Sequence, residues 1–127
     1  MGTAKAQIDI SASADDVWKV IGDFGGLGSW MPGIDSCRVE GDDRILEMMG
    51  MTITERLVAK DDAARAITYT IADGAPVESH EATITVTSSG EASHVTWDVD
   101  AKPDEMADLM GTIYQQALEA LKSHVEG

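Results

Sequence analysis

The sequence predicts an α+β fold: a curved antiparallel sheet of about seven strands wrapped around one long C-terminal helix, with two short helices after the first strand. Three observations carry the prediction. Residues 34–101 run mostly at period two between Gly- and Asp-rich breaks, the pattern of a hairpin meander. Residues 104–125 carry one apolar stripe at three- and four-residue spacing. Between the first strand and the meander lie a capped helical pattern and a Gly/Pro-rich stretch.

Residues 3–10 alternate, with Ala4, Ala6, Ile8 and Ile10 on one face and Lys5, Gln7 and Asp9 on the other, as in a half-buried strand. Ser13 precedes Ala14, Asp15 and Asp16, so its hydroxyl can cap a helix whose first turn carries favourable acids. Val17, Trp18, Ile21 and Phe24 follow at helical spacing, and Gly25-Gly26 is the expected stop. Residues 25–33, GGLGSWMPG, allow a short second helix or turn. Breaks at Gly41-Asp42-Asp43, Gly50, Lys60-Asp61-Asp62, Asp73-Gly74-Ala75-Pro76 and Ser88-Ser89-Gly90-Glu91 divide the meander. Its last strand, residues 94–101, sets Val95, Trp97, Val99 and Ala101 opposite Thr96, Asp98 and Asp100. Pro103, Asp104 and Glu105 suit a first helical turn; Met106, Leu109, Met110, Ile113, Ala117, Leu121 and Val125 form the stripe, widened by Tyr114 and Leu118. Such a helix is about 33 Å long.

Bulk properties narrow the function. The 127 residues are expected to form one domain, 1–127, with no repeat and no linker. Nine Lys plus Arg against 23 Asp plus Glu give a formal charge of -14, which repels phosphate backbones and anionic bilayers, so nucleic acid is an unfavourable partner. With one cysteine, Cys37, an internal disulfide is impossible. No secretory signal and no spanning apolar run is present, and the expectation is a cytoplasmic monomer without stable membrane insertion. The phosphate loop, the dinucleotide fingerprint, histidines at metal-binding spacing and the G-x-S-x-G elbow are all missing, so no cofactor and no metal is expected.

Three local strings resemble a known family. They are I-x-A-x-A-D-D-V-W-K-V-I-x-D-F over residues 10–24, Leu27-Gly28-Ser29-Trp30-Met31-Pro32, and Ile53-Thr54-Glu55-Arg56-Leu57. With the element order they resemble the START-like, or SRPBCC, superfamily, and within it the bacterial polyketide cyclase/dehydrase-type proteins. The T-E-R-L stretch is also similar to one in the plant abscisic acid receptors. Their gate-loop string S-G-L-P-A is replaced here by Glu47-Met48-Met49-Gly50-Met51, so hormone reception is not implied. The resemblance implies a helix-grip fold with a cavity between concave sheet and long helix; it carries no catalytic signature, and function is inherited only as a class.

Residues able to serve such a cavity follow from strand arithmetic. Over 51–60, Met51, Ile53, Glu55, Leu57 and Ala59 share one face, so Glu55 points with the apolar set. There it is either a polar anchor for a ligand or an acid/base group, or else it pairs with a structural Arg or sits at the rim. Over 76–87, Glu78, His80, Ala82, Ile84 and Val86 fall together, and Tyr69 lies between Ile67 and Ile71 on the strand before. Glu55, Tyr69 and His80 are thus candidates for one site, catalytic if the protein is an enzyme, with a satisfied core histidine as the plain alternative for His80. Met48, Met49, Met51, Met106 and Met110 offer adaptable apolar surface or ordinary core filling. Trp30 is a candidate entrance residue or a packing residue, and Leu57, Ile84, Trp97, Ile113 and Tyr114 complete the expected ligand-binding set.

The expected function is binding of a hydrophobic small molecule (lipid, sterol-like or polyketide-like) as carrier or sensor. A polyketide cyclase/dehydratase using His80 or Glu55 as general base, and an interaction or stress-related module with a collapsed cavity, are the alternatives. Cavity energetics bear on what fills the space. A dry pocket of about 300 Å³ costs on the order of 7 kcal/mol, against a domain stability of about 5–15 kcal/mol. Such a hollow is filled by ligand or water, or side chains close it.

Overall fold

A computed structural model of the chain describes residues 2–127. Among them β1 (Gly2–Ile10) leads into α1 (Ala14–Ile21) and a 3-10 helix (Phe24–Ser29). Then come β2 (Ile34–Glu40), β3 (Asp43–Met48), β4 (Met51–Asp61), β5 (Ala66–Asp73), β6 (Ser79–Ser89), β7 (Ala92–Lys102) and α2 (Asp104–Glu126). The strands make one curved antiparallel sheet in the order β1-β7-β6-β5-β4-β3-β2: a meander with the first strand laid against the last. The helix-grip arrangement of the α+β expectation is what forms. None of the described helices is long and apolar enough to cross a membrane.

Ser13 caps α1, its Oγ accepting from the Asp16 amide at 3.1 Å. Val17, Trp18 and Ile21 are buried against β6 and β7. The helix ends at Ile21, earlier than the expected Gly25-Gly26, because the Gly22 amide already closes the last turn on the Trp18 carbonyl at 2.7 Å. Four glycines among residues 22–28 then favour the tighter 3-10 turn that brings Leu27 into the core. The sixth strand begins at Ser79, not near Pro76. Pro76 has no amide to give a ladder, and Glu78 instead bonds the Lys102 carbonyl at 2.8 Å with its side chain exposed.

Two register shifts interrupt the β4–β5 pairing, between Thr54 and Glu55 and between Leu57 and Ala59. At each, one strand carries an extra residue, and the bulged strand bends and twists more strongly. The alternation through Glu55 therefore fails beyond Leu57, where Val58 and Ala59 are both exposed.

α2 lies across β1 and β7. Its C-terminal half is sealed: Ala117, Leu118 and Leu121 are at most 1% exposed within a core that includes Ala6, Ile10, Val17 and Val95. Burying each leucine contributes about 1.5–3 kcal/mol. At Gly111 a Cβ would stand 2.8 Å from that of Ala4, so helix and edge strand meet too closely there for a larger residue. Toward the N-terminal half the packing loosens. Met106 and Ile113 are half-buried, and Leu109, although a member of the apolar stripe, is 51% exposed.

Candidate functional site

Under the N-terminal half of α2 the sheet and helix enclose a hollow of about 120 Å³. The helix contributes Met106, Met110 and Ile113, the sheet contributes Leu46, Ile53 and Ile71, and the 3-10 helix and its exit contribute Leu27 and Met31. Its mouth lies between the β3–β4 hairpin, with Met48, Met49 and Met51, the Ala75-Pro76 loop, and Leu109 of α2. A shallower space of about 240 Å³ adjoins it, sharing Met31, Met48, Met49 and Ile113. Met48 pairs with Met51, so the hairpin turn has two central residues, and both have positive φ, +50° at Met49 and +74° at Gly50. Asn or Asp normally precedes Gly in such a turn. Here the position holds a methionine that is 66% exposed.

The inner end of the hollow is polar, and its groups hold one another. Arg44 and Glu55 are cross-strand partners on β3 and β4, 4% and 7% exposed. Arg44 Nε and Nη2 each lie 2.7 Å from Glu55 Oε1, and Nη1 donates to the Phe24 carbonyl at 3.1 Å. The guanidinium carbon sits 4.1 Å from the Phe24 ring centre and 4.8 Å from that of Tyr69. Burial pushes the Glu55 carboxyl up from its ordinary range, with Arg44 opposing the shift.

Beside this pair lies a network of aromatic groups. Trp97 Nε1 donates to Tyr69 Oη at 3.1 Å, Tyr69 Oη and Tyr114 Oη are 3.2 Å apart, and His80 Nε2 lies 3.2 Å from Tyr114 Oη. Trp97 and Tyr114 stack with ring centres 3.9 Å apart and planes within 2°. The Ile71 amide donates to His80 Nδ1 at 3.1 Å, which fixes the ring and its tautomer. Desolvation lowers the His80 pKa from 6.5 to about 4, so the imidazole is neutral at pH 7. Burial raises the phenol of Tyr69, and likewise that of Tyr114, above the ordinary range, keeping both protonated.

The structure thus brings Glu55, Tyr69, Trp97 and Tyr114 to the inner end of one hollow. It places Met106, Met110 and Ile113 on the walls and Met49 and Met51 at the mouth. Four expected residues do not line it. His80, paired with Ala101 on β7, does not line the hollow but touches residues that do: the Tyr114 phenol, the Tyr69 ring and the Ile71 amide. Trp30 is buried, not at an entrance, its ring 6.2 Å from that of Trp97. Ile84, paired with Trp97 and with Ile67, packs in the main core. Leu57 lies past the Arg44–Glu55 pair along β4 and lines a separate open groove beside Trp18 and Phe24. Sequence reasoning allowed for a structural arginine without identifying it. Period two from Leu46 back to Arg44 was the available signal, since it puts Arg44 on the inward face. Leu27, Met31, Leu46, Ile53 and Ile71 were also missed as lining residues, for want of any signal separating wall from ordinary core.

Comparison with known proteins agrees with this architecture. The profile of the family described as polyketide cyclase / dehydrase and lipid transport matches residues 1–126. The solved structure of the protein XoxI from Bacillus cereus is 34% identical, with a TM-score of 0.92, over 98% of this chain and 96% of that one. A START superfamily protein from Mycobacterium smegmatis superposes with a TM-score of 0.86 at 17% identity, over 99% of this chain and 98% of that one. The di-domain ARO/CYC protein BexL of the BE-7585A biosynthetic pathway gives 0.85 at 22% identity, over 99% of this chain and 47% of that one. At those lower identities the likeness is one of fold. No curated protein sequence matches the chain. By its family match and its architecture, the chain belongs to the polyketide cyclase/dehydrase and lipid transport family of START-like, helix-grip proteins.

Proposed function

We propose that this protein binds a hydrophobic small molecule beneath the N-terminal half of α2, as a carrier or sensor. The observation that carries the reading is the hollow itself, apolar along its walls, polar at one end and ringed by methionines at the other. Left dry, a volume of about 120 Å³ costs about 3 kcal/mol. A ligand that fills it recovers that cost along with the burial of its own apolar surface.

Size limits the occupant. An apolar cavity of about 150 Å³ accepts benzene, so the hollow as it stands fits about one ring. A longer molecule extends into the adjoining space past Met31, Met48 and Met49, whose flexible thioethers can give way. The large exposed apolar residues Met49 and Leu109 flank the route.

Carriage fits the polar end better than turnover does. His80 does not touch the hollow, and its Nδ1 is occupied by the Ile71 amide; Glu55 is held by Arg44. These engagements, through His80 Nδ1 and Glu55 Oε1, support a binding role over general-base chemistry. Native mass spectrometry of the protein purified from its own host is expected to show a retained small-molecule mass that an apolar aromatic probe displaces. Ligand-free protein that also fails to take up the probe contradicts the proposal.

A further inference from the structure

The aromatic network at the inner end has more hydrogens than acceptors. The ring nitrogen His80 Nδ1 accepts from the Ile71 amide, so the proton of the neutral imidazole is on Nε2, which donates to Tyr114 Oη. Trp97 Nε1 is a donor only, and it uses Tyr69 Oη as acceptor. The two phenols share one contact, and each brings one hydrogen. When Tyr69 donates to Tyr114, the Tyr114 hydrogen has no protein acceptor; when the direction reverses, the Tyr69 hydrogen has none. One phenolic O–H is therefore surplus in either arrangement among the described residues, and both tyrosines line the hollow.

We infer that the ligand carries a neutral hydrogen-bond acceptor, a carbonyl or ether oxygen on an otherwise apolar ring, which takes this surplus phenolic hydrogen. The inference rests on the binding function proposed above and specifies its chemistry. A plain hydrocarbon leaves the buried donor unmade. An anion is disfavoured because Arg44, the one basic residue among the described residues lining the hollow, is already committed to Glu55 and the Phe24 carbonyl. The tyrosines that offer the hydrogen are held firmly. Tyr114 is stacked on Trp97 and accepts from His80, and Tyr69 accepts from Trp97 and lies against the Arg44 guanidinium.

Tyr69 and Tyr114 are the only tyrosines of the chain, so protein labelled with 13Cζ-tyrosine gives one resonance for each. The test titrates the wild-type protein with acetophenone and with α-methylstyrene, which has nearly the same shape and a CH2 where the ketone has its oxygen. Dissociation constants are compared after each is referred to that probe's own partition between water and hexane. The expected result is about a tenfold preference for the ketone on that scale, the factor for a buried hydrogen bond made instead of left unmade. It is accompanied by displacement of one tyrosine Cζ resonance with acetophenone that α-methylstyrene does not reproduce. Equal corrected affinities with the same Cζ shifts for both probes overturn the inference and leave the apolar-binding function standing. Failure of both probes to bind overturns that function as well.

Discussion

The two halves of α2 meet the same sheet in different ways. The C-terminal half presents Ala117, Leu118 and Leu121, all at most 1% exposed, to a core closed by Ala6, Ile10 and Val17. The N-terminal half presents Met106, Met110 and Ile113 to a hollow, and leaves Leu109 half in solvent. Gly111 lies between them, where the helix comes so near β1 that no Cβ fits against Ala4. Rigidity and capacity are thus divided along one element. The sealed half anchors the helix, and the other half, with flexible side chains and a bulged sheet opposite, leaves room without unfolding it.

The largest effect that sharpens this contrast is in the sealed half. Leu121→Ala is expected to destabilise by about 2–5 kcal/mol, and Met106→Ala by clearly less, since Met106 is half-buried beside space that already exists. Urea unfolding of the two variants measures the difference, and equal losses erase the distinction between the halves. At the polar end, Arg44→Met leaves Glu55 buried without its cation, a loss of about 3–5 kcal/mol at neutral pH. The folded carboxyl already titrates above its ordinary value, so protonation favours the folded state. The variant's deficit is fully present above the raised folded pKa and shrinks as pH falls through it.

His80 gives the opposite sign. Its folded pKa is depressed from 6.5 to about 4, so the unfolded chain binds its proton first as the solution is acidified. Stability from this group is complete above pH 6.5, declines between 6.5 and about 4, and is gone below. His80→Gln is expected to lose less stability than wild type across that window in denaturant melts at stepped pH. Parallel curves contradict the buried, neutral imidazole. The smallest effect is at the mouth. Met49→Asn relieves a methionine at φ +50° in a turn that favours Asn-Gly, and is expected to stabilise by about 1 kcal/mol while weakening binding of an apolar probe. A stabilised variant with unchanged affinity removes the mouth from the account.

What the sequence made legible follows the same division. Every element type was readable because the patterns are long: period two through the meander and one unbroken stripe in α2. Boundaries slipped where a single hydrogen bond decides, as at Gly22, or where proline withholds one, as at Pro76. Of the site, the inward turn of Glu55 and the placement of Tyr69 and Tyr114 followed from alternation and helical spacing. The displacement of Leu57 and His80 from the hollow did not, because it depends on where two bulges bend β4 and β5 and on which stretch of the concave face the helix leaves uncovered. Alternation tells inside from outside; it does not tell cavity from core.

Uptake of benzene by protein carrying 13C-methyl methionine reads the occupancy of the hollow itself, since methionines ring it from wall to mouth. The predicted result is saturable shifts of the methyls of Met31, Met106 and Met110 at one common dissociation constant. Benzene that leaves those methyls unmoved, or that perturbs only residues of the outer groove beside Trp18, contradicts it.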